Sequence, residues 1–184
     1  MNPVDIILKW KKHSMRTSGR EKLDKTDEFW ELIYENEKEL RIPEGTLLYR
    51  VHEGGLEKPE LETFDDMGEN YEEIFRVYYQ KWEDSLAIDK IRWTNNWLSF
   101  TNTPDVIGSN YFSRKNLRGF VIVIKPLKGI NISEFHNGGF NEFEVVAPMD
   151  KSTLVEILEF DEFMSKYGTG NSDYEKIKNR ILNE

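Results

Sequence analysis

Between Gly138 and Val146 the chain reads GGFNEFEVV, with Glu142 and Glu144 on either side of a phenylalanine at the start of an apolar run. Side chains alternate along a β-strand, so residues i and i+2 point the same way. The two glutamates are therefore expected on one face, roughly 6–7 Å apart along the strand. Carboxylates that close raise each other's pKa and cost stability unless something uses them. A solvated edge strand can also carry such a pair, and with 34 Asp and Glu residues in the chain some pairs arise by chance. Two other stretches bear on the choice. In LLYRVH, Arg50 stands inside an apolar strand, where a guanidinium must snorkel to solvent or meet an anion, because an unpaired buried charge is expensive. In WLSFTNTPDVIGSNYF, Ser99 and Thr101 share a strand face, ahead of a Pro-containing turn and an aromatic pair. Hydroxyls on the wet side of an ordinary strand would look the same.

The elements that must position these residues follow from composition and periodicity. A chain of 184 residues with 38% hydrophobic and 13% aromatic content can bury a core and is expected to form one domain. The formal charge of −9 argues against a general grip on nucleic-acid phosphates. The absence of cysteine excludes disulfides, thiolate metal sites and cysteine nucleophiles. His13, His52 and His136 have no metal-ligand spacing, so no metal is expected. There is no apolar run long enough for a membrane helix and no signal-peptide pattern, so the expectation is a cytoplasmic protein without membrane partners.

Residues 3–13 and Glu28 to Leu40 carry helical periodicity, and together with their loop form an N-terminal helical segment over 1–43. TLLYRVH reads as a strand. Asp65 to Leu86 reads as one long helix with apolar and aromatic residues at spacings of three and four. NWLSFT, GFVIVIKP, FEVVAP and TLVEILEF read as further strands, Val106 to Phe112 as a short helix, and Asp173 to Leu182 as a terminal helix. The fold class is therefore α+β: a mixed sheet with N-terminal helices, one long inserted helix, a core over 46–160 and a C-terminal helix within 170–184.

Taken in order, Arg50, Ser99-Phe100-Thr101 and Glu142-Phe143-Glu144 resemble the motifs of the ADP-ribosyltransferases of the Arg-Ser-Glu class, the cholera-toxin-like, arginine-specific branch. That family has an arginine on a strand, then a Ser-Thr-Ser strand motif, then Glu-x-Glu opening a later strand. Here 49 residues separate Arg50 from Ser99 and 43 separate Ser99 from Glu142, and the resemblance covers roughly residues 46–150. The chain departs from the pattern at Phe100, which replaces the middle Thr, and at Thr101, which replaces the last Ser.

The resemblance implies a mono-ADP-ribosyltransferase, an enzyme that breaks the nicotinamide–ribose bond of NAD through a sugar cation and passes ADP-ribose to an acceptor. It implies that Arg50, Ser99 and Glu144 converge on one cleft from three strands. Arg50 would bind the pyrophosphate, with a planar donor pair suited to phosphate oxygens. Ser99 would orient a glutamate or a ribose hydroxyl, and Thr101 would supply a second hydroxyl to the NAD site. Glu144 would bond the ribose and stabilise the cation. Glu142 would act on the acceptor, which the first glutamate marks as arginine on a target protein. Tyr111 or Phe112 would stack on nicotinamide, unless they belong to the core. Phe140 and Asn141, in the loop before the glutamates, would touch the acceptor. NAD is expected to bind as substrate without metal. The same chemistry on RNA or DNA stays open through the basic stretch KWKKHSMRTSGREK, as does a catalytically inactive copy of the fold that only binds. A toxin or effector role fits the family.

Overall fold

The computed structural model describes residues 26–52, 59–109, 119–135 and 140–170, together with 5, 7, 8 and 176. Helix α1 (Thr26–Asn36) comes first, then β1 (Leu48–His52), α2 (Tyr71–Ser85), β2 (Trp97–Thr101) and the single turn α3 (Pro104–Ile107). After these come β3 (Phe120–Ile124), β4 (Ile130–Asn131), β5 (Glu144–Pro148), β6 (Leu154–Glu159) and α4 (Phe160–Tyr167). The fold is α+β, as expected.

The six strands form one sheet in the order β4-β5-β2-β1-β3-β6. A mixed sheet was expected, but every pairing among the described residues is antiparallel. The expectation came from continuous apolar runs such as that of β3, which resemble strands of a parallel sheet covered on both faces. Here β3 is covered on both faces without a parallel neighbour. On one side Val121 and Val123 pack with Tyr49, Ile107, Phe160, Phe163 and Met164, so α3 and α4 close that face. On the other, Ile122 and Ile124 pack with Leu48, Ile91, Phe100 and Val145.

Helix α1 docks at the far end of the sheet. Trp30 is fully buried and stacks on Trp97 at 6.5 Å between ring centroids. Asp27, in the first turn of α1, accepts from the Trp97 backbone N–H at 2.9 Å through Oδ1. Ile7, in the described part of the first helical stretch, is buried in the same cluster. These contacts fix the start of β2, the strand that carries Ser99 and Thr101.

The long helix expected over Asp65 to Leu86 is divided. Leu61–Met67 forms a 3-10 helix, and α2 starts only at Tyr71. Gly68 between them has φ 91°, a left-handed conformation that ends the first helix. The second N-terminal helix also stops early, at Asn36, with Lys38–Leu40 a separate 3-10 turn. The short helix read over Val106 to Phe112 is a single turn starting at Pro104 in its described part. The terminal helix read over Asp173 to Leu182 lies, Lys176 apart, outside the described residues. Helix α4 was not foreseen: its first residue, Phe160, stood at the end of the strand pattern TLVEILEF, and the rest was given no element. The two-residue strand β4 is too short to show alternation.

Candidate active site

The site begins where two central strands part. β1 pairs with β3 along its whole length but with β2 only at Tyr49 opposite Thr101. Beyond that pair the strands diverge, and backbone groups that would have joined in a ladder need other partners. Arg50 supplies one: its Nη1 donates to the Ser99 carbonyl at 2.7 Å. The guanidinium thus bridges the two strands, and the Arg50–Ser99 relation suspected from sequence is a direct contact, made through the Ser99 backbone.

A cleft of about 1130 Å³ follows this opening. Its lining includes Arg50 and His52 of β1, Ser99 and Thr101 of β2, Lys81, Asp84 and Ser85 of α2, Lys90 and Arg92 of the segment before β2, and Glu142. Arg50, Lys81, Lys90 and Arg92 stand against Asp84 and Glu142, a cationic excess in a chain whose formal charge is −9. Such a concave, positive surface attracts anions. Lys81, Lys90 and Arg92 are exposed and Arg50 is half-buried, so Arg50 is the member whose charge is least screened by salt.

His52 shares the Arg50 face of β1, because the two are i and i+2 on one strand. Burial lowers its pKa below the ordinary histidine value, the carbonyls of Ala87 and Ser85 oppose this, and the neighbouring Arg50 charge adds to the lowering. Its backbone is held tightly against the end of β3: a Cβ on Gly119 would lie 2.4 Å from the His52 carbonyl oxygen, so only glycine fits there.

The two glutamates do not share a face. β5 starts at Glu144, and Phe143 before it has φ 48°, a left-handed conformation that is uncommon for an aromatic residue. The reversal breaks the alternation on which the same-face expectation rested. It is held by the Asn141 Oδ1, which accepts from the Phe143 N–H at 2.9 Å, and by the Phe143 carbonyl, which accepts from the Asn102 N–H at 3.3 Å. Glu142 consequently lies in the cleft lining. Glu144 is buried, at 8% exposure, opposite Thr101.

The expected convergence of Arg50, Ser99 and Glu144 on one cleft is not what the structure has: Arg50 and Glu144 stand on opposite faces of the sheet. Arg50, Ser99, Thr101 and Glu142 line one cleft, whereas Glu144 is not among its lining residues. Register makes the reason plain. Val123, Tyr49, Thr101 and Glu144 form one cross-strand row on one face, and Arg50, which alternates with Tyr49, faces the other way with Ile122. Only at the opening between β1 and β2 do the two faces meet, and residues of both faces line the cleft there. Phe140 and Asn141 stand outside the lining, Phe140 at 48% exposure and Asn141 engaged in the turn. Tyr111 and Phe112 lie outside the described residues.

Sequence reasoning missed His52, Lys81, Lys90 and Arg92. A charged residue on a surface helix has no local signal that distinguishes a cleft rim from open solvent. His52 did carry one, its i+2 spacing from Arg50. Among the described residues no group of three or more His, Asp and Glu side chains is arranged to hold a metal ion, and no helix is long and apolar enough to cross a membrane. Comparison of the chain with protein-family models, curated proteins and solved structures gave no match.

Proposed function

We propose that this cleft binds NAD and that the protein transfers ADP-ribose to a macromolecular acceptor, with arginine on a target protein as the favoured one. The observation that carries the reading is the meeting of Arg50, Ser99, Thr101 and Glu142 along one cation-rich opening. Together with Glu144, which lies outside the lining, these are the residues whose order and spacing resemble the Arg-Ser-Glu class. The pyrophosphate of NAD carries fixed negative charge and suits Arg50 with Lys81, Lys90 and Arg92 around it. The nicotinamide leaving group departs with its own positive charge, so the protein has to stabilise a sugar cation more than protonate a leaving group.

In this reading NAD lies along the opening, its phosphates toward Arg50 and its ribose over Thr101. Glu144 then acts from one cross-strand step behind Thr101, and Glu142 meets the acceptor from the cleft itself. Phe140 and Phe143, both exposed, flank Glu142 on the surface an acceptor would approach.

A second reading draws on the burial of Glu144 outside the lining: a related fold that binds NAD or a similar anion without transferring it. One experiment separates the two. Incubation with labelled NAD and a cell lysate, followed by protease or nuclease digestion, reports whether transfer occurs and onto which polymer. Binding of ADP-ribose with no release of nicotinamide in any lysate would leave the binding module and overturn the transferase.

A further inference from the structure

Asn141 is expected from the resemblance to touch the acceptor, but its side chain is engaged with the chain itself. Its Oδ1 accepts from the Phe143 backbone N–H at 2.9 Å, reaching past Glu142 between them. The Phe143 carbonyl accepts from the Asn102 N–H at 3.3 Å, so both backbone groups of Phe143 are bonded. The next residue is fixed on both sides: the Glu144 carbonyl accepts from the Ile132 N–H at 3.0 Å, and Glu144 stands opposite Thr101 of β2. The direction of Glu142 therefore depends on the backbone of Phe143. Its φ of 48° lies in the left-handed region, which brings Cβ too close to the carbonyl oxygen. Aromatic residues favour extended backbone. In an extended chain Glu142 would stand two residues before Glu144 on the same face, away from Arg50. The turned conformation, with Glu142 in the cleft lining, is thus the one that needs holding.

We propose that Asn141 is a positioning residue: its Oδ1 holds Phe143 in the left-handed turn and so keeps Glu142 in the cleft, where Glu142 serves the acceptor. The inference rests on the transferase reading, and it sets how ADP-ribose is divided between acceptor and water. Asn141 lies outside the cleft lining and acts only through the backbone of Phe143. One hydrogen bond shifts the balance between two conformations by about five- to tenfold. Without it, fewer molecules hold Glu142 in the cleft, and transfer falls by up to that factor. Hydrolysis by water does not need Glu142 and stays as it was.

The test measures nicotinamide release from NAD in water and ADP-ribose transfer to a small guanidine compound. Asn141→Ala, Asn141→Asp, Phe143→Gly and the double variant Asn141→Ala with Phe143→Gly are compared with the unmodified protein. Asn141→Ala is expected to lose transfer about five- to tenfold and to keep hydrolysis within about twofold. Asn141→Asp retains an oxygen that accepts from the Phe143 N–H, so it keeps transfer within about twofold. Glycine adopts positive φ without steric cost, so in the Phe143→Gly background the Asn141→Ala loss shrinks to about twofold or less. Full transfer by Asn141→Ala, an equal fall of hydrolysis and transfer, or a loss by Asn141→Asp as large as that by Asn141→Ala would overturn the positioning role and leave the NAD reading standing. A loss of the same size in both backgrounds at position 143 would also overturn it, since Asn141 would then touch the acceptor directly. Neither hydrolysis nor transfer by the unmodified protein would overturn the transferase reading and this role with it. Amide hydrogen exchange read by NMR on the unmodified protein needs no variant: the Phe143 N–H is expected to exchange at least about tenfold more slowly than an unprotected amide, and exchange at the unprotected rate would overturn the hold.

Discussion

Replacing each of the two glutamates by its amide separates their roles. Glu142 is half-buried in the cleft lining and Glu144 is buried one cross-strand step behind Thr101. Glutamine matches glutamate in size, so neither change opens a cavity, and Glu142→Gln is expected to alter stability by less than about 0.5 kcal/mol. If Glu144 stabilises the sugar cation, Glu144→Gln removes a negative charge that an amide dipole does not replace. Electrostatic contacts of this kind contribute about 10²–10⁴ in rate, or about 3–5 kcal/mol of barrier. Both nicotinamide release in water and transfer to a small guanidine compound fall by that factor. Glu142→Gln loses transfer by about 10²–10³ and keeps slow hydrolysis, because water still reaches the ribose. The assay is chromatographic detection of free nicotinamide and of ADP-ribosylated guanidine in the same reaction. Full hydrolysis by Glu144→Gln would refute the reasoning and leave Glu144 a buried residue of β5 outside the cleft lining. Equal loss of hydrolysis in both variants would show instead that the carboxylates share one task.

Arg50→Ala withdraws the donor at 2.7 Å from the Ser99 carbonyl and is expected to lower stability by about 1–3 kcal/mol, read from denaturant unfolding, together with loss of ADP-ribose binding. Arg50→Lys keeps the charge but not the planar donor pair, so binding falls while the cleft remains cationic, as titration by calorimetry would show. Phe143→Gly removes an exposed side chain from a left-handed position, and the thermal midpoint is expected to hold or rise slightly, since the strain relieved offsets the flexibility added. The Tyr167 phenol is pushed up to about 12 by burial and then by its hydrogen bond to Glu156. Above the ordinary value of 10 the unfolded chain loses this proton while the folded one keeps it, so stability falls as pH rises from 10 toward about 12. Alkaline spectrophotometric titration of Glu156→Gln should show this phenol ionising at lower pH.

Much of the architecture was legible in the chain because its signals are local. Short apolar runs located β1, β2, β3 and β5 from stretches such as LLYRV and FVIVI, alternation located β6, and helical periodicity located α1 and α2. Where a local signal was overridden, a backbone conformation was responsible: Gly68 divides one helical pattern, and Phe143 turns Glu142 out of the strand that Glu144 begins. Residue type and order picked out Arg50, Ser99, Thr101 and Glu142, which line the cleft, and equally Glu144, Phe140 and Asn141, which do not.

What the tertiary structure alone decided is how distant segments meet. No periodicity states that β1 lies between β2 and β3, that the sheet is antiparallel at each pairing, or that β1 and β2 part after a single residue pair. That parting creates the cleft, and it depends on contacts across 49 residues of sequence, such as the hydrogen bond from Arg50 to Ser99. The gathering of Lys81, Lys90, Arg92 and His52 around the same opening is likewise a product of strand order and of where α2 comes to rest. Side-chain periodicity records which face of its own element a residue occupies, whereas a binding site is made by the packing of elements against one another, and that is set by long-range burial rather than by local spacing.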